Sequence, residues 1–429
     1  MKILKKLSIF LLSFCIVFIN VSLFVSCSEK EPLPIEFIRA DSSTDGYATI
    51  IVPEDRPLKT LVLSDPQVAT VETYTIVGNT TEKTYAFVEE LVTSVSPDFV
   101  FITGDICINN IFTGFDLYVR YAEIFEKLNV YWAFCLGNHD SEKNYVSATS
   151  TKDSKLGQLT KTRLISELSS FPHCLATVGD CTDIYETAGN YFINVRNPEG
   201  KLIKSFVSFD CCYSKDGYNP LITDSQIEWY KENVNNLSDA EYGTNRNGKT
   251  VKTIAFSHVP IPELDVAVNS ISLQDNNPDV TYLYGENLEE PYYNLASETD
   301  FFNSIYSMNS LEGMFFGHHH DNDINVIYKG VRLGFVQSTT FCSYYRIAFP
   351  KGKPSHNLLK PPALTVIDFT NIKKYGDMRG GTEIIIGCDG TFSATPVYAK
   401  DVIENYTAKY FSVDTYSAYC SKIGYTVVS

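Results

Sequence analysis

The chain has 429 residues, of which 44% are hydrophobic and 13% aromatic, and only 20% are charged. This composition is sufficient for a large buried core and excludes extensive disorder, which requires low hydrophobicity and high charge. The formal net charge of −16 repels nucleic acid and anionic lipid, so we expect no nucleic-acid binding. An anionic ligand would need a local source of positive charge.

The first 27 residues have the pattern of an export signal. Three lysines precede an apolar run from residue 7 to residue 26, and a polar stretch follows Cys27. The segment Leu23-Phe24-Val25-Ser26-Cys27 resembles a bacterial lipobox, in which the cysteine is lipidated and becomes the new N-terminus. The alternatives are an uncleaved membrane anchor, because the run is long for a cleaved signal, or a secreted product. We therefore expect an exported protein that is tethered to a membrane through its N-terminal lipid or anchor.

The rest of the chain divides into three predicted parts. Residues 28–56 are polar and contain several prolines, which predicts a linker with a possible short strand at Tyr47–Val52. Residues 57–350 have the alternating apolar and helical patterns of one large domain. Residues 351–429 are predicted to be a β-rich extension that completes this domain.

Short apolar runs alternate with helical patterns in the first half of the domain. The runs are Lys59–Leu63, Asp98–Thr103 and Tyr131–Leu136, and the helical patterns between them are Thr84–Val95 and Asp116–Leu128. This alternation predicts βαβ units and a buried parallel sheet. Because ligands bind beyond the carboxyl ends of such strands, the residues that follow each run are candidate site residues.

Further apolar runs occur in the second half of the chain. Thr250–Phe256 and Gly313–Phe316 each precede histidine. Later runs without comparable helices between them predict a second, largely antiparallel sheet. These runs are Ile324–Tyr328, Val331–Val336, Ala363–Phe369 and Glu383–Ile386. Two segments, Ser141–Gly189 and Ile261–Asp300, are predicted to be long loops that shape access or specificity.

Side chains that can bind metal follow these runs. Asp65, Asp105 and Asn138 follow the first three runs, and five of the seven histidines also lie at run ends. These five are His139, His258, His318, His319 and His320. Mixed carboxylate, amide and imidazole donors suit zinc, manganese or iron. Two such ions that share a carboxylate can clamp an in-line phosphoryl displacement and acidify a water to hydroxide, the expected nucleophile.

Five sequence blocks occur in an order that is typical of one known family. They are Asp65-Pro66-Gln67, Gly104-Asp105, Gly137-Asn138-His139-Asp140, Ser257-His258 and Gly317-His318-His319-His320. Within the segment from Leu58 to Tyr345, these blocks resemble the calcineurin-like metallophosphoesterases. The resemblance implies a four-layer α/β/β/α sandwich with two mixed sheets, and an enzyme that hydrolyses phosphoric esters with two metal ions.

The resemblance also implies a role for each matched residue. One ion would be bound by Asp65, Gln67, Asp105 and His320. The other would be bound by Asp105, Asn138, His258 and His318, so that Asp105 bridges the two ions. His139 would lie outside the metal shell and would bind the phosphoryl group or protonate the leaving oxygen. His319 should point to the opposite side of its extended segment.

Three features of the chain differ from the families and branches that it resembles. Histidine is usual where Gln67 stands, and a glutamine amide oxygen is a weaker and harder ligand than imidazole. Alternatively, Gln67 hydrogen-bonds a loop while a water fills the coordination position. The residues after Asp105 lack the arginine of serine/threonine protein phosphatases, and Ile108 replaces the tyrosine of purple acid phosphatases. The chain is therefore similar to purple-acid-phosphatase-like proteins that lack this tyrosine.

We expect hydrolysis of small phosphate monoesters outside the cytoplasm. A phosphodiesterase that acts on a nucleotide or lipid headgroup is one alternative, because the same metal pair serves both reactions. A catalytically weak surface binding protein is another. The identities of the two divalent ions are left open. Cys174 and Cys181 are the best candidates for a local disulfide in an oxidising compartment, whereas Cys135 is expected to be a buried thiol.

Changing Cys27 tests the predicted export signal. If Cys27 is the lipidated N-terminus, the mature protein should begin at this residue and carry acyl chains, which Cys27→Ser should remove. Cys15→Ser, in the same apolar run, is the matched control and should leave the acyl chains in place. Mass spectrometry of the protein purified from a bacterial host measures both. An intact Met1, or a soluble product that begins elsewhere, would contradict the prediction.

Overall fold

The computed structural model of the chain describes a defined set of residues. These are residues 33–69, 80–107, 115–141, 161–181, 187–210, 222–288, 300–341, 366–368, 374, 376–411 and 426–428. The described residues from Ile35 onwards belong to one compact unit. The apolar run at residues 7–26 and Cys27 lie outside the described residues. No described helix combines the length and the apolar character needed to cross a bilayer.

A five-stranded mixed sheet forms the first layer of strands. Its strands are β3 (Leu58–Leu63), β4 (Phe99–Ile102), β5 (Tyr131–Phe134), β14 (Gly380–Ile386) and β15 (Phe392–Tyr398), in the order β15-β14-β3-β4-β5. β3, β4 and β5 are parallel, as their alternation with helices predicts. β14 pairs with β3 in the antiparallel direction and thus joins the C-terminal segment to the sheet.

A nine-stranded mixed sheet forms the second layer of strands, in the order β1-β2-β6-β7-β8-β10-β12-β11-β9. Its strands are β1 (Glu36–Ile38), β2 (Ala48–Ile51), β6 (Tyr191–Arg196), β7 (Leu202–Ser208), β8 (Thr253–Ser257), β9 (Val280–Tyr284), β10 (Leu311–Phe316), β11 (Asn325–Tyr328) and β12 (Val331–Phe335). The central strands β7, β8, β10 and β12 are parallel to one another. A separate parallel pair is formed by β13 (Val366–Asp368) and β16 (Thr426–Val428).

The helices that accompany the sheets in the described part of the chain include nine α-helices with defined bounds. They are α1 (Thr80–Val95), α2 (Phe115–Leu128), α3 (Asn138–Ser141), α4 (Lys161–Leu168), α5 (Asp224–Tyr242), α6 (Pro262–Leu273), α7 (Phe301–Tyr306), α8 (Ala399–Val402) and α9 (Tyr406–Tyr410). A short 3₁₀ turn lies at Ala40–Ser42. The longest helix, α5, begins with a capping box between Thr223 and Gln226.

Alternation along the central strands separates two hydrophobic cores. On β8, Ile254 and Phe256 belong to the core that contains β3, β4 and β5, whereas Ala255 belongs to the core that contains α5, α6 and α7. The rings of Phe101 and Phe256 stack between the sheets with their centroids 3.9 Å apart. With α1 and α2 in the first core and α5 to α7 in the second, the chain forms an α/β/β/α sandwich. The predicted fold class is confirmed.

Several expectations about the second half of the chain are wrong. The run Glu383–Ile386 lies in β14, beside β3, and does not share a sheet with β11 and β12. The nine-stranded sheet is evenly mixed and not largely antiparallel, because β8 and β10 lie in it and pair in parallel with their neighbours. Hydrophobic periodicity identifies the buried face of a strand but not its neighbour, so pairing of this kind is set by the tertiary fold.

The two segments predicted to be loops contain regular structure. Residues 261–300 hold α6 and β9, and α4 lies within residues 141–189. β6, β7 and α5 were not anticipated from the sequence at all. The N-terminal segment predicted as a linker contributes β1 and β2 to the nine-stranded sheet, and Ile50 and Val52 are fully buried. Hence the core begins earlier in the chain than its polar composition indicates.

Of the two predictions about the cysteines, the buried thiol is confirmed and the disulfide is not. Cys135 is buried, as expected for a small apolar side chain. Cys174 is a buried thiol and forms no disulfide with Cys181. Burial raises the pKa of the Cys174 thiol to about 12, so this thiol stays protonated and unreactive at neutral pH. The local disulfide predicted from the spacing is therefore wrong.

Candidate metal centre

The predicted ligands meet where the carboxyl ends of both sheets come together. Asp65, Asp105 and Asn138 follow β3, β4 and β5 of the five-stranded sheet, whereas His258 follows β8 of the other sheet and His318 follows β10. The backbone amide of His318 donates a hydrogen bond to Oδ2 of Asp65 at 3.0 Å, which connects the two sheets directly. Residues more than 250 positions apart in sequence thus form one cluster.

Four of the eleven described non-glycine residues with positive φ angles are predicted ligands. Asp65, Gln67, Asp105 and His318 have positive φ angles of 49°, 44°, 53° and 74°. A residue other than glycine seldom adopts this conformation, and it persists only where the surrounding structure enforces it. Such residues cluster at functional sites, so the backbone supports the site independently of its side-chain chemistry.

Close packing explains two of the glycines that precede the ligands. A Cβ atom on Gly137 would lie 2.0 Å from Oδ1 of Asp105. A Cβ atom on Gly317 would lie 2.2 Å from Oγ of Ser64 and 2.7 Å from Oδ2 of Asp65. Only glycine leaves room for the carboxylates at these positions.

The four residues predicted to bind the first ion are in mutual contact. Nε2 of His320 lies 3.2 Å from Oδ1 of Asp65. Nε2 of Gln67 donates to Oδ2 of Asp105 at 3.0 Å and lies 2.9 Å from Nε2 of His320, so the amide must turn by 180° for its oxygen to take this place. An ion with ligands at about 2.1 Å separates neighbouring donor atoms by about 3 Å. These distances therefore match one coordination shell.

The residues predicted to bind the second ion lie beside the first group. Nε2 of His258 is 3.1 Å from Oδ2 of Asp105, and Nδ1 of His318 is 3.0 Å from Oδ1 of Asn138. Asp105 contacts members of both groups, which is the position that a bridging carboxylate requires. The two groups are also close to each other. Asp65 of the first group, Asp105 and His258 each offer a ligand atom, and these three atoms lie within 4.8 Å of one another.

The ring orientation of His258 is fixed by its second ring nitrogen. Nδ1 of His258 lies 2.8 Å from the carbonyl oxygen of Thr103. A carbonyl only accepts hydrogen bonds, so Nδ1 carries a proton, and Nε2, which faces Asp105 at 3.1 Å, is the nitrogen that can bind a metal ion. This arrangement is the usual one for a metal-binding histidine, in which the outer contact sets the tautomer and ring orientation.

Electrostatics keep the carboxylates ionised and one imidazole neutral. Burial by itself would raise the pKa of Asp105, but His258 and His139 lower it well below the ordinary value of a carboxyl group. Burial likewise opposes the ionisation of Asp65, whose pKa the neighbouring His320 and His258 lower. Burial lowers the pKa of His318, and its histidine neighbours lower it further. Two anionic carboxylates and a neutral imidazole are the protonation states that metal binding requires.

The donor set fits a divalent cation. Oδ1 of Asp65 and Oε1 of Gln67 are buried, and neither makes a hydrogen bond with a described residue. Oδ1 of Asp65 is near His320 but not aligned for a hydrogen bond, as expected when both atoms point at a shared ion. The amide of Gln67, turned by 180°, would place its oxygen towards Asp105 and His320. Two buried carboxylates in one cluster also need positive charge to offset their repulsion.

His139 and His319 occupy different surroundings from the ligands. The ring of His139 is partly exposed, with Nε2 3.8 Å from Oδ2 of Asp105, and its backbone amide donates to Oδ1 of Asp105 at 2.9 Å. His319 is buried, and its ring packs edge-on against Phe335 with the centroids 5.3 Å apart. His139 is thus placed at the rim of the cluster, where a ligand can reach it.

Sequence analysis did not assign a role to Asp140. Its carboxylate is buried and accepts hydrogen bonds from the backbone amides of Ile106, Cys107 and Gly137 and from the hydroxyl of Tyr118. These bonds tie the loop after β4 to the loop after β5. Burial and the nearby Asp105 raise the pKa of Asp140 to about 6. Its place next to His139 in the sequence was the only signal for this anchoring role.

Two mixed sheets with carboxylate, amide and imidazole side chains at their shared edge are the arrangement of a metallophosphoesterase. The family model for calcineurin-like phosphoesterases matches residues 58–322, which is more than half of the chain. The chain belongs to the calcineurin-like phosphoesterase family. This confirms the resemblance drawn from the five sequence blocks, all of which lie in the matched segment.

Two curated relatives come from Arabidopsis thaliana. The protein named "Probable inactive purple acid phosphatase 14" is 21% identical over 288 residues, covering 62% of this chain and 65% of that protein. "Probable inactive purple acid phosphatase 29" is 22% identical over 274 residues, covering 58% of this chain and 61% of that protein. The chain therefore spans less than two thirds of the length of each relative.

Solved structures with partial similarity include two phosphatases. A dimetal phosphatase from Danio rerio has 12% identity and a TM-score of 0.40, with 67% of this chain and 89% of that chain covered. A purple acid phosphatase from yellow lupin (Lupinus luteus) seeds has 10% identity and a TM-score of 0.35, with 83% and 54% covered.

Substitutions at Gln67 test its predicted role as a ligand. If its amide oxygen binds the first ion, Gln67→Ala should weaken binding at that site, and Gln67→His should tighten it by adding an imidazole. The wild-type site should also favour manganese or magnesium over zinc relative to the Gln67→His site. Calorimetric titration of the metal-free protein with each ion measures these affinities. Equal affinities for all three proteins would show that Gln67 is not a ligand.

Proposed function

We propose that the protein is an exported, metal-dependent phosphoesterase that hydrolyses small phosphate monoesters. The observation that carries the proposal is the meeting of ligand-type side chains from both sheets at one strained, buried cluster. Asp65 and His320 are in contact in the first proposed metal site, and Asn138 and His318 are in contact in the second. Asp105 lies between the two sites. Four members of the cluster have positive φ angles, a conformation that is enriched at functional sites.

The proposed chemistry assigns a distinct task to each group of residues. Two divalent ions held here would supply Lewis acid activation of water and of the phosphoryl group. Asp105 orients both sites, because its two oxygens contact Gln67 and His258 on one side and the His139 amide on the other. His258 is held in position by the carbonyl of Thr103. The protein thus provides a preorganised frame for an anionic substrate.

His139 is the proposed proton donor. Its ring is partly exposed beside Asp105, so it can reach a leaving oxygen, while its backbone amide fixes the carboxylate of Asp105. The side chain and the backbone of this residue therefore have separable functions. A general acid at this position would protonate the departing alkoxide as the phosphoryl bond breaks.

Location and charge are consistent with a small phosphorylated substrate. The net charge of −16 disfavours extended polyanions, so attraction of a phosphate must arise locally, at the proposed cations. The export signal and Cys27, proposed as the lipidated N-terminus, would place this site outside the cytoplasm on a membrane tether. Hydrolysis there would release phosphate for uptake.

The names of the two relatives support a second candidate, a binding protein with little catalytic activity. Both relatives are named as probably inactive phosphatases, and this chain has Gln67 where the family usually has histidine. Against this, the other proposed ligands are present and in mutual contact. A binding protein would retain metal and phosphate affinity without turnover.

The decisive experiment compares wild-type protein with Asp105→Asn. The wild type should bind two ions per chain and hydrolyse p-nitrophenyl phosphate faster than bis-p-nitrophenyl phosphate. Asp105→Asn should fold normally yet lose at least about 10³-fold in turnover, because several kcal/mol of charge stabilisation depends on the bridging carboxylate. Metal bound without turnover by the wild type would favour the binding protein, and preference for the diester would favour a phosphodiesterase. Retention of both ions and most activity in Asp105→Asn would contradict the bridging role.

His139→Ala tests the proposed proton donor. This variant keeps the backbone amide that donates to Asp105, so it should retain both ions while turnover falls by roughly 10²- to 10⁴-fold. The loss should shrink for esters whose leaving groups need no protonation. His319→Ala is the matched control and should change turnover little. Loss of one ion from His139→Ala would instead make His139 a ligand.

A further inference from the structure

One arginine is fully buried directly behind the proposed metal centre. Arg379 is completely inaccessible to solvent and is one of the largest buried side chains among the described residues. It lies immediately before β14, in the C-terminal part of the chain and outside the segment matched by the family model. Burial of a guanidinium is costly, and Nη2 of Arg379 makes no hydrogen bond with a described residue, so the bonds of Nη1 and Nε indicate the structural role of this side chain.

The guanidinium of Arg379 bonds to two backbone segments. Nη1 donates to the carbonyl oxygen of His320 at 2.7 Å, and Nε donates to the carbonyl oxygen of Thr340 at 3.1 Å. Its charge is balanced by Asp321, whose Oδ1 lies 3.7 Å from Nη1 and which is also fully buried. Arg379 is therefore bonded to the peptide unit of a proposed ligand.

The second segment held by Arg379 supports the other side of the same site. Both the backbone amide and the hydroxyl of Thr339 donate to the carbonyl oxygen of Ser64 at 2.8 Å. The hydroxyl of Ser338 contacts the carbonyl oxygen of Asp65 at 3.4 Å. The segment of residues 338–340 thus holds the backbone from which the Asp65 carboxylate projects.

Arg379 accordingly connects the backbone supports of two ligands that come from different sheets. Asp65 follows a strand of the five-stranded sheet, and His320 follows a strand of the nine-stranded sheet. Their donor atoms are 3.2 Å apart in the first proposed metal site. In the described part of the chain, Arg379 makes no hydrogen bond to Asn138, His258 or His318 of the second site.

We propose that Arg379 is a positioning residue that sets the geometry of the first metal site by bonding the backbone supports of Asp65 and His320. The proposal rests on the metal centre proposed above. Arginine suits this task because its planar, rigid fork directs separate N–H groups to separate acceptors. The backbone of Arg379 is itself fixed, since its carbonyl accepts from the amide of Ala399 at 2.8 Å. The C-terminal segment thereby takes part in the metal centre.

The test requires removal of the guanidinium without leaving a buried unpaired charge. Arg379→Met alone would strand Asp321, so the double variant Arg379→Met/Asp321→Asn is the informative one. Arg379→Lys keeps the charge but cannot direct donors to both carbonyls. Lys204→Met is the matched control, because Lys204 is also a buried cation and lies away from the ligands, and its partner Glu312 at the amino end of β10 is partly exposed and so is not left as a buried unpaired charge.

Metal binding is measured separately from catalytic activity. Metal-free proteins are titrated calorimetrically with manganese, and thermal unfolding shows that each variant is folded. The double variant should lose about 10- to 100-fold in affinity at one of two sites, the range for lost outer contacts to ligands. Arg379→Lys should fall between this variant and wild type, and Lys204→Met should bind as wild type.

Each outcome bears on a distinct claim. Wild-type affinity at both sites in the double variant would overturn the role of Arg379 and leave the proposed function intact. Equal weakening at both sites, or the same loss in Lys204→Met, would reduce Arg379 to general stabilisation and also overturn it. A wild-type protein that binds no manganese, zinc or iron would overturn the proposed metal centre, and the role of Arg379 with it.

Discussion

The structure depends on two carboxylates, Asp65 and Asp105, that are buried within one cluster at the seam between two sheets. Like charges at this separation repel, and burial adds the cost of lost hydration. The surrounding features all reduce that cost. Histidines face the carboxylates, backbone amides of His318 and His139 donate to them, and Gly137 and Gly317 leave room for them. Residues from both sheets of the sandwich thus stabilise two buried negative charges at its centre.

The elements that sequence predicted best are those whose signal is local. β3, β4 and β5 and the helices α1 and α2 fall within or close to the predicted runs, because alternating apolar runs and helical periodicity are properties of short segments. The candidate ligands were found for the same reason, since polar residues directly after buried strands mark the carboxyl edge of a sheet. The site roles of these residues stay predictions, although the structure brings them together.

The elements that sequence missed depend on contacts between distant segments. Nothing in the run around β14 shows that it pairs with β3, more than 300 residues earlier, and this pairing places Arg379 behind His320. Asp140 anchors three backbone amides from loops that only the fold brings together. α5 was also missed, although its signals are local. The sequence contains its capping box at Thr223 and Gln226 and the helical apolar spacing of Ile227, Tyr230 and Val234.

The separation of the ligands along the chain determines when a metal ion can bind. Asp65 and His318 are 253 residues apart and come from different sheets, so no partial chain that ends before β10 contains a complete site. If the chain is exported as proposed and crosses the membrane unfolded, it cannot carry its ions with it. Metal loading would then follow translocation and folding, and the ion supply of the destination compartment, rather than the selectivity of the cytoplasm, would decide which ions occupy the centre.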